Sequence, residues 1–364
     1  MNSKKEHMLE ALELANRGAL TTSPNPMVGC VITHGDKIIG RGWHERSGEN
    51  HAEINAIEDV INNLGDKAKE VLSESELFVN LEPCTTYGKT PPCADSIKEY
   101  GIKKVYFCNE DKNQKSFTKM HPEIEVEKGI LENEGRKLNR GFFSRIERGR
   151  PYISCKVASA LDGGIALPSG ESKWITSSNS RKDVHKIRAH ADAILTGTGT
   201  LSKDDPRLTS RDSGLNESLF KQPLRVIVDR NNVLTGKEEI FSSDAPTLLF
   251  LNEDSQLKEK DGIEIAKLKA SPNLFLEEVV NYLAEEKLIN NLMIEAGSGI
   301  MNSLLQERLI DELVLYKAPK LLGENRLSFI NLDVVTKKLG TIDLEIEGIE
   351  ELGQDIKYSL MPKY

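Results

Sequence analysis

Residues 81–93 read Leu81-Glu82-Pro83-Cys84-Thr85-Thr86-Tyr87-Gly88-Lys89-Thr90-Pro91-Pro92-Cys93, and 31 positions before Cys84 stands Glu53 of a His51-Ala52-Glu53 triplet. One imidazole and two thiolates supply three soft or borderline ligands and leave a fourth tetrahedral position for water, the pattern of a catalytic rather than a structural zinc site. Zinc lowers the pKa of a water it holds to about 7. Glu53, two residues from His51, is not needed as a ligand. It is placed to carry the proton from that water to a ring nitrogen and then to departing ammonia, the role of the signature glutamate of zinc deaminases. Taken singly, His51 reads as well as a helix-start residue, and Cys84 or Cys93 as a buried thiol. His-Ala-Glu, Pro-Cys and a second cysteine behind a proline pair, in that order, carry the reading together.

Outward from this stretch, strands and helices alternate. Glu6 to Asn16 places Met8, Leu9, Leu12 and Ala15 on one helical face, with Gly18 at the C-cap position. Pro24-Asn25-Pro26 is a rigid turn, and Met27 to Thr33 and Lys37 to Gly40 form a hairpin around His34-Gly35-Asp36. His51 to Leu64 reads as a helix, Leu77 to Leu81 as a buried strand, Pro91 to Tyr100 as a helix and Val105 to Cys108 as a strand. The pattern predicts a three-layer α/β sandwich of modest size.

With 364 residues, two domains are expected. Gly141 to Pro151 turns polar and basic before an apolar strand, Tyr152 to Val157, begins afresh; this sets domains over 1–147 and 148–364. Apolar runs then recur at Ala193 to Thr196, Leu224 to Val228, Thr247 to Leu251, Leu292 to Ile294 and Leu313 to Tyr316, with a helix over Ser178 to His190, predicting a second α/β sheet. No internal repeat is visible.

The composition, 38% hydrophobic and 29% charged, is that of a globular chain. A net charge of −9 disfavours nucleic acid as partner. The start has no apolar h-region and no run approaches the roughly 18 residues of a membrane span, which points to a cytoplasmic protein without a membrane partner. Five cysteines fit reduced thiols or metal ligands, with Cys30, Cys108 and Cys155 simply buried.

In the second half, Gly-x-Gly-x-x-Gly is missing after the first strand, which argues against a Rossmann domain. Thr196-Gly197-Thr198-Gly199-Thr200 and Glu295-Ala296-Gly297-Ser298-Gly299 each end a strand, and the latter opens a helix. Backbone N–H groups at such a glycine-flanked helix start suit a pyrophosphate, although glycine turns end many strands.

The block 81–93, Pro24-Asn25-Pro26-Met27-Val28-Gly29, Gly42-Trp43-His44 and 48–53 closely resemble the deaminase half of the bifunctional riboflavin-biosynthesis deaminase/reductase family. Eight residues separate the cysteines where the wider superfamily usually has Pro-Cys-x-x-Cys. Thr86 stands where the family usually has histidine, a departure that touches one substrate contact and no metal ligand. Ser159-Ala160-Leu161-Asp162-Gly163, residues 169–176 and 204–209, Glu295-Ala296-Gly297 and residues 318–323 resemble the family's reductase half, which has a dihydrofolate-reductase-like fold. The resemblance thins after Asn325.

The resemblance implies zinc on His51, Cys84 and Cys93, with Glu53 catalytic. It implies NADPH contacts at Ala158, Trp174, Thr200, Asp204 and the turn Gly297, Ser298, Gly299, Ile300, Met301, Asn302 and Ser303. Ser172, Arg188, Leu208, Arg211 and Glu295 would face the substrate. Two arginines suit a ribose phosphate and a carboxylate suits ribose hydroxyls, whereas without the family match Arg188 and Arg211 read as solvated surface charges. Arg230, after the strand ending in Asp229, is equally suited to the cofactor's 2′-phosphate and to an exposed turn. The implied substrate is a small phosphorylated pyrimidine, deaminated and then reduced on its ribosyl side chain; whether the chain forms a homo-oligomer is left open. Two rival readings stand beside this one. A nucleic-acid deaminase with a binding-only C-terminal half is disfavoured by the charge and by only 5% aromatic residues. A non-catalytic metal module has no use for Glu53.

Overall fold

The structure, a computed structural model, describes residues 3–87, 91–167, 175–235, 237–241, 245–255, 262–269, 275–330 and 340–364. The chain divides into two compact units, Met1–Gly149 and Arg150–Tyr364.

The first unit runs α1 (Ser3–Asn16), β1 (Gly29–His34), β2 (Lys37–Trp43), α2 (Ala52–Leu64), α3 (Ala68–Ser73), β3 (Glu76–Leu81), α4 (Cys93–Glu99), β4 (Lys104–Asn109), α5 (Phe117–Met120), β5 (Glu125–Lys128), α6 (Glu132–Leu138) and α7 (Arg140–Arg148). Its sheet has the order β2-β1-β3-β4-β5, antiparallel at β1 and parallel from β3 to β5. Strand periodicity builds two cores, one on each face. Cys30, Ile32, Leu77, Val79, Val105 and Phe107 meet α2, α3 and α4. Val31, Phe78, Tyr106 and Cys108 meet Met8, Ala11 and Leu14 of α1. The result is the expected three-layer sandwich.

Helix α1 turns a different face to the sheet from the one its large aliphatics suggest. Its buried residues are His7, Met8, Ala11, Leu14 and Ala15, while Leu9 is 45% exposed. The reason lies in β1: a Cβ on Gly29 would stand 2.1 Å from Ala11 O and 2.5 Å from Ala15 N, so the helix rests directly on a glycine. Gly42 does the same for α2, where a Cβ would meet Ala52 O and Ala56 N at 2.3 Å. The first hairpin strand begins two residues later than expected, at Gly29, and the second begins at Lys37 as expected but runs on to Trp43. The stretch 140–148, read from sequence as a polar connection, is helical: α7 buries Phe142 and Phe143 against Leu81 and ends at Gly149 with φ +69°.

The second unit runs β6 (Tyr152–Ala160), β7 (Gly164–Ala166), α8 (Ser178–His190), β8 (Ala193–Gly197), α9 (Thr198–Asp204), β9 (Leu224–Asp229), β10 (Thr247–Asn252), β11 (Ile263–Leu268), α10 (Phe275–Glu285), β12 (Asn291–Ile294), α11 (Ser298–Gln306), β13 (Glu312–Ala318), β14 (Leu327–Ser328), β15 (Asp343–Leu352) and β16 (Asp355–Lys363). The nine-stranded sheet has the order β11-β10-β9-β8-β12-β6-β13-β16-β15. It is parallel from β11 to β13 and antiparallel in the last two strands. Buried on both faces, the parallel strands are near-continuous apolar runs. One core lies under α10 and α11, the other under α8 and α9.

Strand β12 returns to lie between β8 and β6, so the glycine turns after β8 and β12 sit side by side at the carboxyl ends of neighbouring strands. Open α/β sheets bind ligands at such a reversal of strand order. A Cβ on Gly197 would stand 2.6 Å from Ile300 Cδ1, so the glycine lets that side chain of α11 pack close against the turn after β8. The β15–β16 hairpin lies in the stretch where sequence shows no motif. Its Asp355 accepts hydrogen bonds from Ser177 N (2.7 Å) and Ser180 Oγ (2.5 Å), anchoring the start of α8.

Candidate active sites

In the first unit two helix starts converge. His51 is the N-cap of α2, with Glu53 in its first turn, and Cys93 is the first residue of α4 behind the N-cap Pro92. Cys84 follows β3, and its sulfur accepts the Cys93 N–H at 3.1 Å. His51 Nδ1 lies 3.4 Å from Cys84 Sγ and 3.3 Å from Cys93 Sγ, and the three ligand atoms lie within 4.8 Å of one another. Tetrahedral zinc bonds of about 2.0 Å to nitrogen and 2.3 Å to sulfur set a nitrogen–sulfur edge of about 3.6 Å, so the donor set and its spacing fit the metal.

The site's electrostatics favour metal binding. Hydrogen bonds from Cys93 and His51 pull the Cys84 thiol down to about 4, against its burial. The neighbouring Cys84 and burial hold Cys93 well above the usual thiol range, so the pair shares a proton that a cation would displace. Glu53 is 3% exposed; burial first, then the charge of Cys84, raises its carboxyl above the usual range. That is the direction a proton carrier needs.

The loops are braced from behind. The buried Glu82 carboxylate accepts Phe117 N–H (2.8 Å) and Asp111 N–H (3.1 Å), and Gln114 donates to Pro83 O and accepts Thr85 N–H. His44 Nδ1 lies 2.9 Å from Asn50 O and its Nε2 3.1 Å from Asn25 Nδ2; the ring stands edge-on to His51. Thr86 is exposed.

In the second unit a cleft of about 990 Å³ opens at the strand-order reversal. Of the sequence-implied residues it is lined by Ala158, Thr200, Asp204, Leu208, Arg188, Glu295, Gly297, Ser298, Gly299 and Met301. A neighbouring pocket of about 390 Å³ shares Gly199, Thr200, Gly297 and Gly299 with it and takes in Arg230, Ile300 and Ser303. Asn302 and Arg211 line neither, and Arg211 Nη1 turns back to Thr209 Oγ1 at 2.9 Å. Ser172 and Trp174 lie outside the described residues.

The cleft fits a pyrophosphate cofactor. Gly297 caps α11, and a Cβ at Gly297 or Gly299 would meet no atom within 4 Å, leaving the helix N–H groups open. Five cations, Lys156, Arg181, Arg188, Lys203 and Arg326, outnumber the carboxylates Asp204 and Glu295 in its lining, against the net charge of the chain. Arg188 grips Glu295 in a two-pronged bond, Nε to Oε1 at 2.5 Å and Nη2 to Oε2 at 3.0 Å, and its Nη1 donates to Thr209 O at 3.0 Å. Lys156 Nζ stands 3.7 Å from Glu295 Oε2. Burial alone would raise Glu295, but Arg188 and then Lys156 hold it at about 2, an ionised buried carboxylate. Lys156 escapes the sequence reading, although a lysine interrupting the apolar run 152–157 is the signal that could have found it.

Comparison with known proteins agrees with this geometry. Residues 151–358 match the family model of the RibD C-terminal domain, and residues 1–109 that of the cytidine and deoxycytidylate deaminase zinc-binding region. The chain is 37% identical to the riboflavin biosynthesis protein RibD of Buchnera aphidicola subsp. Baizongia pistaciae, over 97% of each chain. It is 35% identical to that of Escherichia coli K12, over 96% of this chain and 97% of the relative. Among solved structures, Acinetobacter baumannii RibD superposes with a TM-score of 0.87 at 34% identity, covering 100% of this chain and 99% of the other.

Proposed function

The chain belongs to the RibD family of bifunctional riboflavin-biosynthesis enzymes, and on that premise we propose which of its residues perform each step. It deaminates and then reduces a pyrimidine precursor of riboflavin, with a cytidine-deaminase-like unit for the first reaction and a dihydrofolate-reductase-like unit for the second. Its cofactors are zinc and NADPH. The substrate is a small molecule, 2,5-diamino-6-ribosylamino-pyrimidinone 5′-phosphate, and not a nucleic acid. Ligands that need reduced thiols, together with the free state of the cysteines, support a cytoplasmic setting.

His51, Cys84 and Cys93 hold the zinc, which when bound activates water for attack on the amino-bearing ring carbon. Glu53 would carry the first proton of that water to the ring nitrogen as its oxygen bonds the carbon, then carry the second, from the resulting hydroxyl, to the leaving amine, so that C–NH2 and water become C=O and ammonia. Its burial keeps bulk water from competing for the proton. The observation that carries this assignment is the convergence of three ligand atoms within 4.8 Å beside a buried glutamate.

The cleft of the second unit would hold NADPH, which when bound would supply a hydride for the sugar carbon bonded to nitrogen in the imine-like, ring-opened form, the nitrogen taking up a proton. Ala158, Thr200, Asp204, Gly297, Ser298, Gly299 and Met301 in the cleft would hold the cofactor, with Ile300, Ser303 and Arg230 at the smaller pocket, where a 2′-phosphate fits; Asn302 and Trp174 are assigned to it by the family resemblance alone. Arg188 draws the ribose phosphate, Glu295, ionised, orients ribose hydroxyls, and Leu208 stands on the substrate side of the cleft; Arg211 and Ser172 are assigned to the substrate by the family resemblance alone.

Glu53→Gln tests the first assignment. It should lower ammonia release by about 10²-fold or more with zinc still bound and NADPH oxidation of deaminated substrate intact; deamination near the wild-type rate in zinc-loaded protein would refute it.

A further inference from the structure

The segment 208–211 carries two of the residues assigned to the substrate, Leu208 and Arg211, and lies between Leu208 at φ +51° and Asp212 at φ +53°. Such left-handed backbone is disfavoured for non-glycine residues, so something must hold the segment in place. Three consecutive residues are each bonded to α8. Thr209 O accepts from Arg188 Nη1 at 3.0 Å, Ser210 Oγ donates to His185 O at 2.7 Å, and Arg211 N–H donates to His185 Nδ1 at 3.2 Å. Gln222 closes the remaining backbone groups of Ser210, accepting its N–H at 2.8 Å and donating to its carbonyl at 2.7 Å.

Of these contacts, the one to the His185 ring depends on the state of a side chain. An imidazole nitrogen that accepts a backbone N–H carries no proton, so His185 must be neutral with its proton on Nε2. Its surroundings enforce that state: burial, then Arg188 and Arg211, lower its pKa to about 4 against the opposing pull of Glu295.

We propose that His185 is a positioning residue of the reductase: as a neutral acceptor for Arg211 N–H it fixes the 208–211 segment on α8 and thereby sets where Leu208 and Arg211 meet the substrate. The proposal rests on the reading that these two residues face substrate. His185 need not touch substrate or cofactor itself. Its role separates it from Arg188, which lines the cleft.

The test uses the full-length, zinc-loaded chain, with deaminated substrate supplied and NADPH oxidation followed. His185→Leu removes the acceptor, whereas His185→Asn places an amide oxygen where Nδ1 stood. His185→Leu should raise the substrate KM about five-fold or more, the loss of one hydrogen bond of about 1 kcal/mol or slightly above. It should change kcat and NADPH affinity little, and His185→Asn should restore KM to within about two-fold of wild type. Should His185→Leu fail to fold, His185→Gln, whose amide lies further out towards the Nε2 position, takes its place with the same expectation. An unchanged KM in the acceptor-free variant overturns the proposal, as does a parallel fall in kcat and NADPH affinity, or a His185→Asn variant no better than His185→Leu. Arg211→Ala separates the two layers of the argument. If its KM rises while that of His185→Leu does not, the positioning role alone is wrong. If its KM is unchanged, the substrate reading falls and the proposal with it.

Discussion

Replacing Arg188 by alanine is expected to damage the second unit in two separable ways. The guanidinium has five N–H donors; two bind Glu295 and a third binds Thr209 O, leaving two for a substrate phosphate. Arg188 and Glu295 are 12% and 9% exposed, so the variant strands a buried carboxylate with Lys156, 3.7 Å away, as the cation left in contact. Breaking a buried pair from one side costs about 3–5 kcal/mol, and the surviving lysine places the expectation near the lower end, about 3 kcal/mol. For a unit of this size that is roughly 6–12 °C in Tm. The double variant Arg188→Ala/Glu295→Gln leaves no stranded carboxylate, and Lys156, 22% exposed, can turn its ammonium to solvent, so it should cost only about 1–2 kcal/mol, the loss of ordinary hydrogen bonds. Calorimetry of both variants reads this coupling from the transition of the second unit. Separately, the loss of a charge-assisted bond should weaken binding of the deaminated substrate about ten-fold or more and leave ammonia release unchanged. A shift under about 2 °C for Arg188→Ala, or a double variant as unstable as the single, would refute the account of the pair.

Two further outcomes follow from packing and charge. Gly42→Ala should destabilise the first unit and weaken zinc retention, because its methyl would meet the backbone of α2 at 2.3 Å and push away the helix whose N-cap is His51; reductase activity should persist, and zinc content equal to wild type would count against this close approach. Glu295 has a folded pKa of about 2, below its ordinary 4.5, so its contribution is fully present above pH 4.5 and is lost as pH falls towards 2, where the unfolded chain binds a proton the folded chain does not. Denaturant unfolding at pH 4.5 and pH 3 should show that loss in wild type and a shallower loss in Glu295→Gln; equal slopes would contradict it.

What sequence made legible was chemistry with fixed residue types. Imidazole nitrogen and thiolate sulfur are favoured zinc donors, so His51, Cys84 and Cys93 stood out in sequence as candidate ligands, and their donor atoms lie within 4.8 Å of one another. Parallel strands, buried on both faces, announce themselves as apolar runs, and β8, β9, β10, β12 and β13 lie where such runs occur. Contacts made by missing atoms were hidden: the face of α1 is decided by Gly29, which carries no hydrophobic signal. Helix α7 was hidden by its arginines, although Phe142 and Phe143 are its anchor. The β15–β16 hairpin did carry a signal, the alternation of Leu344, Ile346 and Ile349 with glutamates before the Gly353 turn. Its strand β15 is almost wholly exposed, so the pattern marks no core. Lys156 in the cleft and His185 behind it contact residues distant in sequence, Glu295 and Arg211, and spacing along the chain does not report such pairs.

The most direct test of two consecutive reactions on one chain is to follow ammonia release and NADPH oxidation together, starting from the diaminopyrimidinone phosphate, before and after removing zinc with a chelator. The account predicts that the zinc-loaded chain releases ammonia and oxidises NADPH in equal amounts. The stripped chain should do neither with that substrate, yet still oxidise NADPH when given the deaminated product. Ammonia release undiminished in zinc-free protein, or a stripped chain unable to reduce the deaminated product while still folded, would contradict it.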